Sequence, residues 1–184
     1  GDYMNLKLPT IKIGKVILRE ISEADYIDYY IIGSDAETTK YLNWGPFVNP
    51  QEALWVIREI FLKRPLDNLP IGYAITYNDE MIGIIDFHTY FPKENTCEIG
   101  YILNRRFWNK GIMSKCLRKI TEVGFNYLNY DKLLVGHTID NEASKHVILN
   151  SGYHYEYERL VNIKNQDKIA LYYAQYRYEF SGGV

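Results

Sequence analysis

The segment NRRFWNKGIMSK, residues 104–115, combines a glycine with clustered basic side chains where a helix is predicted to begin. Between Ile99 and Thr121 the chain carries six basic residues and no acidic one, although acids outnumber bases over the whole sequence, 23 to 21. The first N–H groups of a helix have no intrahelical acceptor, and the helix dipole places partial positive charge there. A glycine in that turn lets an anion approach the backbone closely. The segment therefore predicts a phosphate-binding loop, with a packing glycine beside a solvated basic helix face as the alternative.

A second group of polar residues follows a buried strand in the segment DNEASKHVILNSGY. Asn141 comes just after the apolar run KLLVGHTI, and Ser144 follows three residues later on the same face of the next predicted helix. An asparagine here can bind the amide groups of a ligand, and a serine hydroxyl can donate a hydrogen bond to a departing group. A serine near a helix start is often only a local partner of the backbone, and that alternative stays open for Ser144.

Two candidate bases lie in the strand patterns that precede the basic loop. Glu98 is the acid in TCEIGYIL, which runs directly into that loop. A carboxylate at this place can take a proton from an amine through a bound water. The alternative for Glu98 is an exposed carboxylate at a sheet edge beside Lys93. His88, in MIGIIDFHTY, is a second candidate base, although a structural strand histidine is the more common outcome.

The other histidines and the two cysteines are predicted to be structural. His137 and His146 are interpreted as structural residues, and Cys97 and Cys116 as core or near-core thiols. The cysteines have no CxxC spacing, which favours reduced thiols over a disulfide framework or a zinc site.

Length and composition limit the classes of protein to which the chain can belong. A chain of 184 residues with 47% hydrophobic and 24% charged residues fits one globular domain. No apolar run approaches the roughly 20 residues of a membrane span, and the amino terminus lacks the features of a secretory signal, so we expect a cytoplasmic protein without membrane contact. A net charge of −2 argues against a nucleic-acid binder.

Periodicity predicts the elements that must position these residues. Apolar and β-branched runs alternate with helical patterns, which indicates an α+β fold of about seven strands and about four helices. The predicted strands are KVILREI, IGYAITY, MIGIIDFHTYF, TCEIGYIL, KLLVGHTI and two tyrosine-rich runs at the end, after which SGGV is predicted to be a disordered tail. The predicted helices are SEADYIDYYIIG, NPQEALWVIREIFLK, residues 111–128 and NEASKHVILN.

In the order and spacing of these motifs, the sequence resembles the GCN5-related N-acetyltransferase (GNAT) superfamily. That family has a loop Q/R-x-x-G-x-G/A before a helix and, later, N-x-x-(A/S)-x-x-x-x-x-x-x-G-F. Here the loop reads WNKGIM, and the second motif has Asn141, Ser144, Gly152 and Tyr153 at the matching spacings. The RimJ/RimL type of ribosomal-protein and related N-acetyltransferases is similar in its FW pair before the loop, its EIGY strand and its early segment YLNWGPFVNPQEALWVI.

The resemblance implies a three-layer GNAT fold with a mixed, mostly antiparallel sheet. It implies a single N-acetyltransferase domain over residues 1–184, with its core at about 15–180, that uses acetyl-CoA as cosubstrate and no metal. Transfer to a primary amine would be direct, in a ternary complex. Glu98 is the predicted base, and Ser144 the predicted acid or hydrogen-bond donor to the thiolate. The predicted cofactor-binding residues are Ile102, Leu103, Trp108, Asn109, Lys110, Gly111, Ile112, Met113, Ser114, Asn141 and Lys145.

Three positions depart from the family pattern. Met113 replaces a small loop residue, which could narrow the pyrophosphate site although the backbone amide there does not depend on the side chain. Trp108 replaces Gln or Arg, as the RimJ/RimL type allows. Many relatives have a tyrosine seven residues after the motif asparagine, where this chain has Ile148. If the chain is catalytic, another group must serve the departing thiolate.

The sequence says less about the acceptor substrate and about the partners of the protein. Residues 20–37 contain six acids and no Lys or Arg, which could attract a cationic amine but is more typical of a solvated helix face. The resemblance implies a protein N-terminal α-amine or a small-molecule amine as acceptor. A noncatalytic acyl-CoA-binding or regulatory module on the same fold is the alternative, and the tyrosine-rich terminal strands suggest a homodimer.

Overall fold

A computed structural model describes residues 6–180; the predicted tail at 181–184 lies outside the described residues. The described residues form eight strands, one more than expected, because the short first strand has no long periodic pattern. The strands are β1 (Ile11–Ile13), β2 (Val16–Glu20), β3 (Tyr73–Tyr77), β4 (Glu80–Phe91), β5 (Thr96–Leu103), β6 (Lys132–Thr138), β7 (His154–Ile163) and β8 (Gln166–Tyr176).

The α-helices of the described part number five, one more than expected. They are α1 (Tyr26–Gly33), α2 (Ala36–Thr39), α3 (Pro50–Val56), α4 (Ile112–Glu122) and α5 (Glu142–Leu149). The start of α3 follows from its sequence, because the Asn49 side chain accepts a hydrogen bond from the backbone N–H of Glu52 and Pro50 occupies the first turn. Two of these helices, α3 and α4, each continue as one π-helical turn, Ile57–Phe61 and Val123–Tyr127.

The strands belong to one mixed, mostly antiparallel sheet in the order β1-β2-β3-β4-β5-β6-β8-β7. Strands β3 and β4 are antiparallel, and the NDE turn between them has Asn78 and Asp79 at φ of 50° and 63°. The parallel pair is β5 with β6, and β8 returns antiparallel to β6 before the β7–β8 hairpin closes the order. The α+β fold class predicted from periodicity is therefore confirmed.

The chain divides into two compact units. The first unit contains Leu6–Asp86 and Tyr101–Lys110, and the second contains Phe87–Gly100 and residues from 111 onward. The core of the first unit joins α1 and α3 to β3 and β4, with an aromatic group of Tyr29, Phe47 and Phe61 at its centre. Phe47 fits there because Gly33 has no side chain; a Cβ on Gly33 would lie 2.5 Å from the Phe47 ring.

The second unit packs α4 against one face of its strands. Met113, Leu117, Ile120 and Val123 lie at helical spacing and form one buried stripe, whereas Tyr127 at the end of the same stripe is 37% exposed. The π-helical turn explains this difference, because it adds a residue to the turn and rotates the last side chain off the buried stripe. Cys97 and Cys116 are both buried, as predicted.

Within residues 6–180, no helix combines the length and the apolar character needed to cross a bilayer.

Candidate active site

The loop before α4 has the backbone geometry that its glycine requires. Gly111 lies in the left-handed region at φ 74° and caps α4, and Asn109 also has a positive φ of 60°. A Cβ placed on Gly111 would meet no atom within 4 Å, so glycine is not needed there for packing. The space beside the first turn of α4 is therefore open to a ligand, and the packing alternative for Gly111 is wrong.

The basic residues around this loop divide into two groups. Four of the six have protein partners: Arg105 pairs with Asp35, Arg106 with Glu80 and Lys119 with Glu122, and Arg118 donates to the Asn150 carbonyl. Lys110 and Lys115 pair with no carboxylate in the part of the chain that the structure describes. These two ammonium groups, and the remaining N–H donors of Arg118, are available to an anion.

Trp108 has a structural contact in the loop. Its indole Nε1 donates a 2.8 Å hydrogen bond to the Leu103 carbonyl at the end of β5. The side chains of Ile102 and Leu103 are buried, so only their backbone groups could reach a ligand.

The first turn of α4 shows where the Met113 side chain lies relative to the loop. Met113 is only 6% exposed and belongs to the core, whereas Gly111 is exposed. The expectation that Met113 narrows the loop is therefore wrong, because its side chain is directed into the protein interior. Ile112 is half-buried, and the Ser114 carbonyl accepts a 3.4 Å hydrogen bond from the Ser151 hydroxyl.

The parallel pairing of β5 with β6 ends before the strands do. It joins Thr96–Ile99 to Lys132–Val135 and stops, although β6 continues to Thr138. The last residues of β6 thus lie beyond the parallel ladder. Strand backbone that leaves a ladder keeps its N–H and C=O groups available for other partners.

Glu98 lies on β5 with β4 and β6 as neighbours, so it is not at a sheet edge. Its side chain is 15% exposed, and its Oε2 is 3.4 Å from Nε2 of His88 on β4. The Nδ1 of His88 is 2.8 Å from the Thr89 hydroxyl. The structure thus brings together the two candidate bases that the sequence offered as alternatives.

The start of α5 is organised by Asn141. Its Oδ1 accepts a hydrogen bond from the Ser144 backbone N–H at 3.2 Å, which caps the helix. The Ser144 side chain is buried in the first turn, and Lys145 is half-buried beside it. Ile148 is fully buried, so the position at which many relatives have a tyrosine carries an apolar core residue in this chain. Two hydrogen bonds connect α4 to the other end of α5: Arg118 donates to the Asn150 carbonyl, and the Ser151 hydroxyl donates to the Ser114 carbonyl.

Among the groups predicted to be structural, His137 and Cys116 lie in the interior, whereas His146 is exposed. His137 is buried, with Nδ1 2.7 Å from the Thr138 carbonyl and Nε2 3.1 Å from the Tyr173 hydroxyl. Burial raises the pKa of Cys116 to about 12, so its thiol stays protonated and is a poor nucleophile. Within the described residues, no three His, Cys, Asp or Glu side chains could together hold a metal ion.

The acidic segment 20–37 is mostly occupied by contacts within its own unit. Asp25 pairs with Arg19, Glu23 with Arg58 and Asp35 with Arg105, and Asp28 accepts a hydrogen bond from the Met81 N–H. The segment therefore does not present a continuous free anionic surface.

A group of residues near Glu98 was missed by the sequence reasoning. Tyr157 on β7 stacks on Tyr172 of β8 with ring centroids 5.0 Å apart, and Arg159 donates a 2.9 Å hydrogen bond to the Tyr172 hydroxyl. Glu98 interacts electrostatically with both Tyr157 and Arg159. The alternation of Tyr157 and Arg159 on one strand face was the available signal, but 18 tyrosines in the chain made it weak.

Comparison with known proteins shows the family of the chain. The family described as acetyltransferase (GNAT) domain matches residues 15–154. N-acetyltransferase p20 of Bacillus licheniformis is 30% identical over 131 residues, which cover 68% of this chain and 71% of the relative. The ribosomal-protein-serine acetyltransferase of Escherichia coli is 30% identical over 118 residues, 61% of this chain and 63% of the relative.

Solved structures share the fold. RimL, a ribosomal L7/L12 alpha-N-protein acetyltransferase solved in complex with coenzyme A, superposes with a TM-score of 0.82 at 20% identity, covering 94% of this chain and all of that one. The matched family domain spans most of the chain and includes the loop, Glu98 and the start of α5. The chain belongs to the GNAT family of acetyltransferases.

Proposed function

We propose that the protein is an acetyl-CoA-dependent N-acetyltransferase that acetylates a primary amine by direct transfer in a ternary complex. The observation that carries this proposal is Glu98, on an internal strand that leads into the glycine loop and 3.4 Å from His88. A base of this kind is needed because an α-amine has a pKa of about 8 and a lysine amine about 10.4, so both are largely protonated at neutral pH.

The residues of the loop fit the pyrophosphate of acetyl-CoA. The open space beside Gly111 and the free N–H groups of the first turn of α4 suit a bound phosphate. We assign Asn109, Lys110, Gly111, Ile112, Met113 and Ser114 to this contact, with Lys110 and Lys115 contributing charge. Acetyl-CoA, when bound, supplies the acetyl group as a thioester.

Other predicted contacts use strand backbone and the start of α5. We assign Ile102 and Leu103 to backbone hydrogen bonds with the pantetheine arm, next to Trp108, and Asn141 and Lys145 to its amides. The Asn141 amide nitrogen supports this, because no hydrogen bond occupies it in the described residues. An extended arm with two amide groups can take hydrogen bonds from strand backbone beyond the end of a ladder.

Proton movements are assigned to two residues. Glu98 accepts the proton of the acceptor ammonium through water, with His88 beside it as the second group able to hold a proton. Ser144 donates a hydrogen bond to the departing thiolate, since Ile148 has no such group. No covalent intermediate on the protein is required.

The relatives support a protein N-terminal amine among the candidate acceptors. One is named for the serine of a ribosomal protein, and the RimL structure is of an enzyme for the L7/L12 α-amine. We also propose a single N-acetyltransferase domain over residues 1–184, with its core at about 15–180, and a homodimer through the β7–β8 hairpin, where Tyr155 and Leu160 are 53% and 68% exposed. Analytical ultracentrifugation tests the dimer.

The test of the function is turnover. Purified protein with acetyl-CoA and a panel of peptide and small-molecule amines should release free thiol in an amine-dependent manner. Coenzyme A should also raise the melting temperature, since a ligand selective for the native state stabilises it. Binding without turnover on any amine would identify an acyl-CoA-binding module, and absence of binding at millimolar coenzyme A would refute the proposal.

A further inference from the structure

The residues missed by the sequence reasoning form a defined arrangement on one face of the second unit. Tyr157, Tyr172 and Gly136 are neighbours across β7, β8 and β6. The Tyr172 ring lies over Gly136, where a Cβ would be 2.6 Å from the ring, and Tyr157 stacks on it at an interplanar angle of 12°. Glycine at 136 therefore leaves the space that the Tyr172 ring occupies.

Arg159 is held against this aromatic pair. Its guanidinium lies 5.0 Å from the Tyr172 ring centroid, and its Nη2 donates to the Tyr172 hydroxyl at 2.9 Å. A guanidinium has five N–H donors in a planar fork, so this contact fixes its position and leaves donors for a ligand. Among the described residues, Arg159 forms no ion pair with a carboxylate.

The charges around this arrangement have opposite signs. Burial and then the Glu98 carboxylate raise the pKa of Tyr157, and the hydrogen bond to Tyr172 contributes most to raising the pKa of Arg159. Lys132, which also acts on Tyr157, is paired with Glu156 at 2.8 Å. Glu98 pairs with Leu134 of β6, two residues before Gly136, so the strand register places Glu98 on the same face of the sheet as Gly136, Tyr172 and Arg159. Glu98 and Arg159 are therefore a negative group and a positive group on the face that carries the two tyrosine rings.

We infer that Arg159, positioned by Tyr172 beside Glu98, selects acceptors that carry an anionic group close to the reacting amine. This inference rests on the proposed function, in which the amine approaches Glu98. An acceptor with both an amine and a carboxylate complements the two charges, because a planar guanidinium binds a carboxylate with two parallel hydrogen bonds. A diamine would bring its second ammonium group to the guanidinium, which is repulsive.

Within the first unit, the acidic segment 20–37 has three of its six carboxylates, those of Asp25, Glu23 and Asp35, paired with an arginine. The anionic group could belong to a small aminocarboxylate or to an acidic residue at the second position of a protein chain.

Two series of acceptors, each matched in size but different in charge, distinguish a small aminocarboxylate from an acidic residue of a protein chain. The small series is 4-aminobutyrate, butylamine and 1,4-diaminobutane, and the peptide series consists of tripeptide amides that begin with serine and carry glutamate, glutamine or lysine second. We expect kcat/KM to favour the anionic member over the cationic one by about tenfold to a hundredfold in at least one series, the range of a charge-assisted hydrogen bond. The series with this preference identifies the source of the anion.

Variants link the preference to Arg159. Arg159→Gln should reduce the preference for the anionic acceptor to within about threefold, and Arg159→Glu should reverse this preference. Tyr172→Phe, which keeps the ring but removes the hydroxyl, should weaken it. For each acceptor, the kcat/KM of the variant is divided by the kcat/KM of the parent, so differences in intrinsic amine reactivity cancel. The control is Arg58→Gln, which removes the same charge from an exposed ion pair with Glu23 and should leave the preference unchanged.

A binding measurement keeps the inference testable without turnover. With coenzyme A present, N-acetyl-4-aminobutyrate and the N-acetylated glutamate peptide are titrated in NMR experiments against the parent and Arg159→Gln. If Arg159→Gln binds at least one of these two acetylated compounds more weakly than the parent does, the result supports the inference. This holds even if no amine is turned over, and in that case only the proposed function fails. Equal binding by both proteins, or turnover with an unchanged preference in the variant, overturns the inference and leaves the proposed function intact.

Discussion

The imidazole Nε2 of His88 lies 3.4 Å from Oε2 of Glu98, so two groups able to hold a proton meet on neighbouring strands of one unit. The sequence offers them as alternatives, 10 positions apart. Their contact means that a proton taken up by one can be shared with the other, and the two should be tested together.

Glu98→Gln keeps the side-chain shape and removes the base. We expect activity to fall by about tenfold to a thousandfold near pH 7, and least above about pH 9, where an α-amine is already neutral. A pH profile of turnover for this variant, the parent and His88→Gln measures the effect. A glutamine variant whose profile parallels the parent at equal rate would leave Glu98 structural and His88 as the next candidate.

Gly111→Val should weaken coenzyme A binding by at least about tenfold, because the side chain enters the space beside the helix start and disfavours the left-handed backbone. Gly14→Val is a matched control: Gly14 has a φ of 61°, and a Cβ added there would likewise meet no atom within 4 Å. Calorimetric titration should show weaker binding only for the first variant. Equal affinities would mean that the loop does not bind the cofactor through this glycine.

Ser144→Ala should lower turnover by about tenfold to a thousandfold with little change in coenzyme A affinity, the range for removing one hydrogen-bond donor to a developing charge. Ser34→Ala removes an exposed hydroxyl that, within residues 6–180, donates to the Ile31 carbonyl, and it should have no such effect. Steady-state kinetics and calorimetry separate the two quantities. Full turnover in Ser144→Ala would transfer this role to a tyrosine or to solvent.

The buried ion pair of Arg64 and Asp86 should be important for stability. Their side chains are 12% and 9% exposed, and Arg64 also stacks on the Phe61 ring. Arg64→Met would leave the Asp86 carboxylate buried without its cation and should lower the free energy of unfolding by about 3–5 kcal/mol. The double variant Arg64→Met/Asp86→Leu should lose less, because no unpaired charge remains. Urea unfolding measures both, and an equal loss in the two proteins would contradict this account.

Local patterns in the sequence were sufficient for most elements. The NDE turn, the Asn49–Pro50 helix start and the buried stripe of α4 depend on residues within a few positions of each other, so capping, turn chemistry and periodicity predict them. The same local rules missed β1, which has three residues, and the π-helical turns that displace Tyr127.

The sequence by itself determined the chemistry available to the protein: a glycine at a helix start among basic residues, an acid on the strand before it, and an asparagine–serine pair opening a later helix. Only the tertiary structure decided which of these groups meet. Four of six loop cations are taken by partners such as Asp35 and Glu80, and Arg159 reaches the vicinity of Glu98 through strand order. Such pairings join residues that are distant in the chain, and side-chain contacts across a sheet follow from strand order and register, which no local pattern encodes.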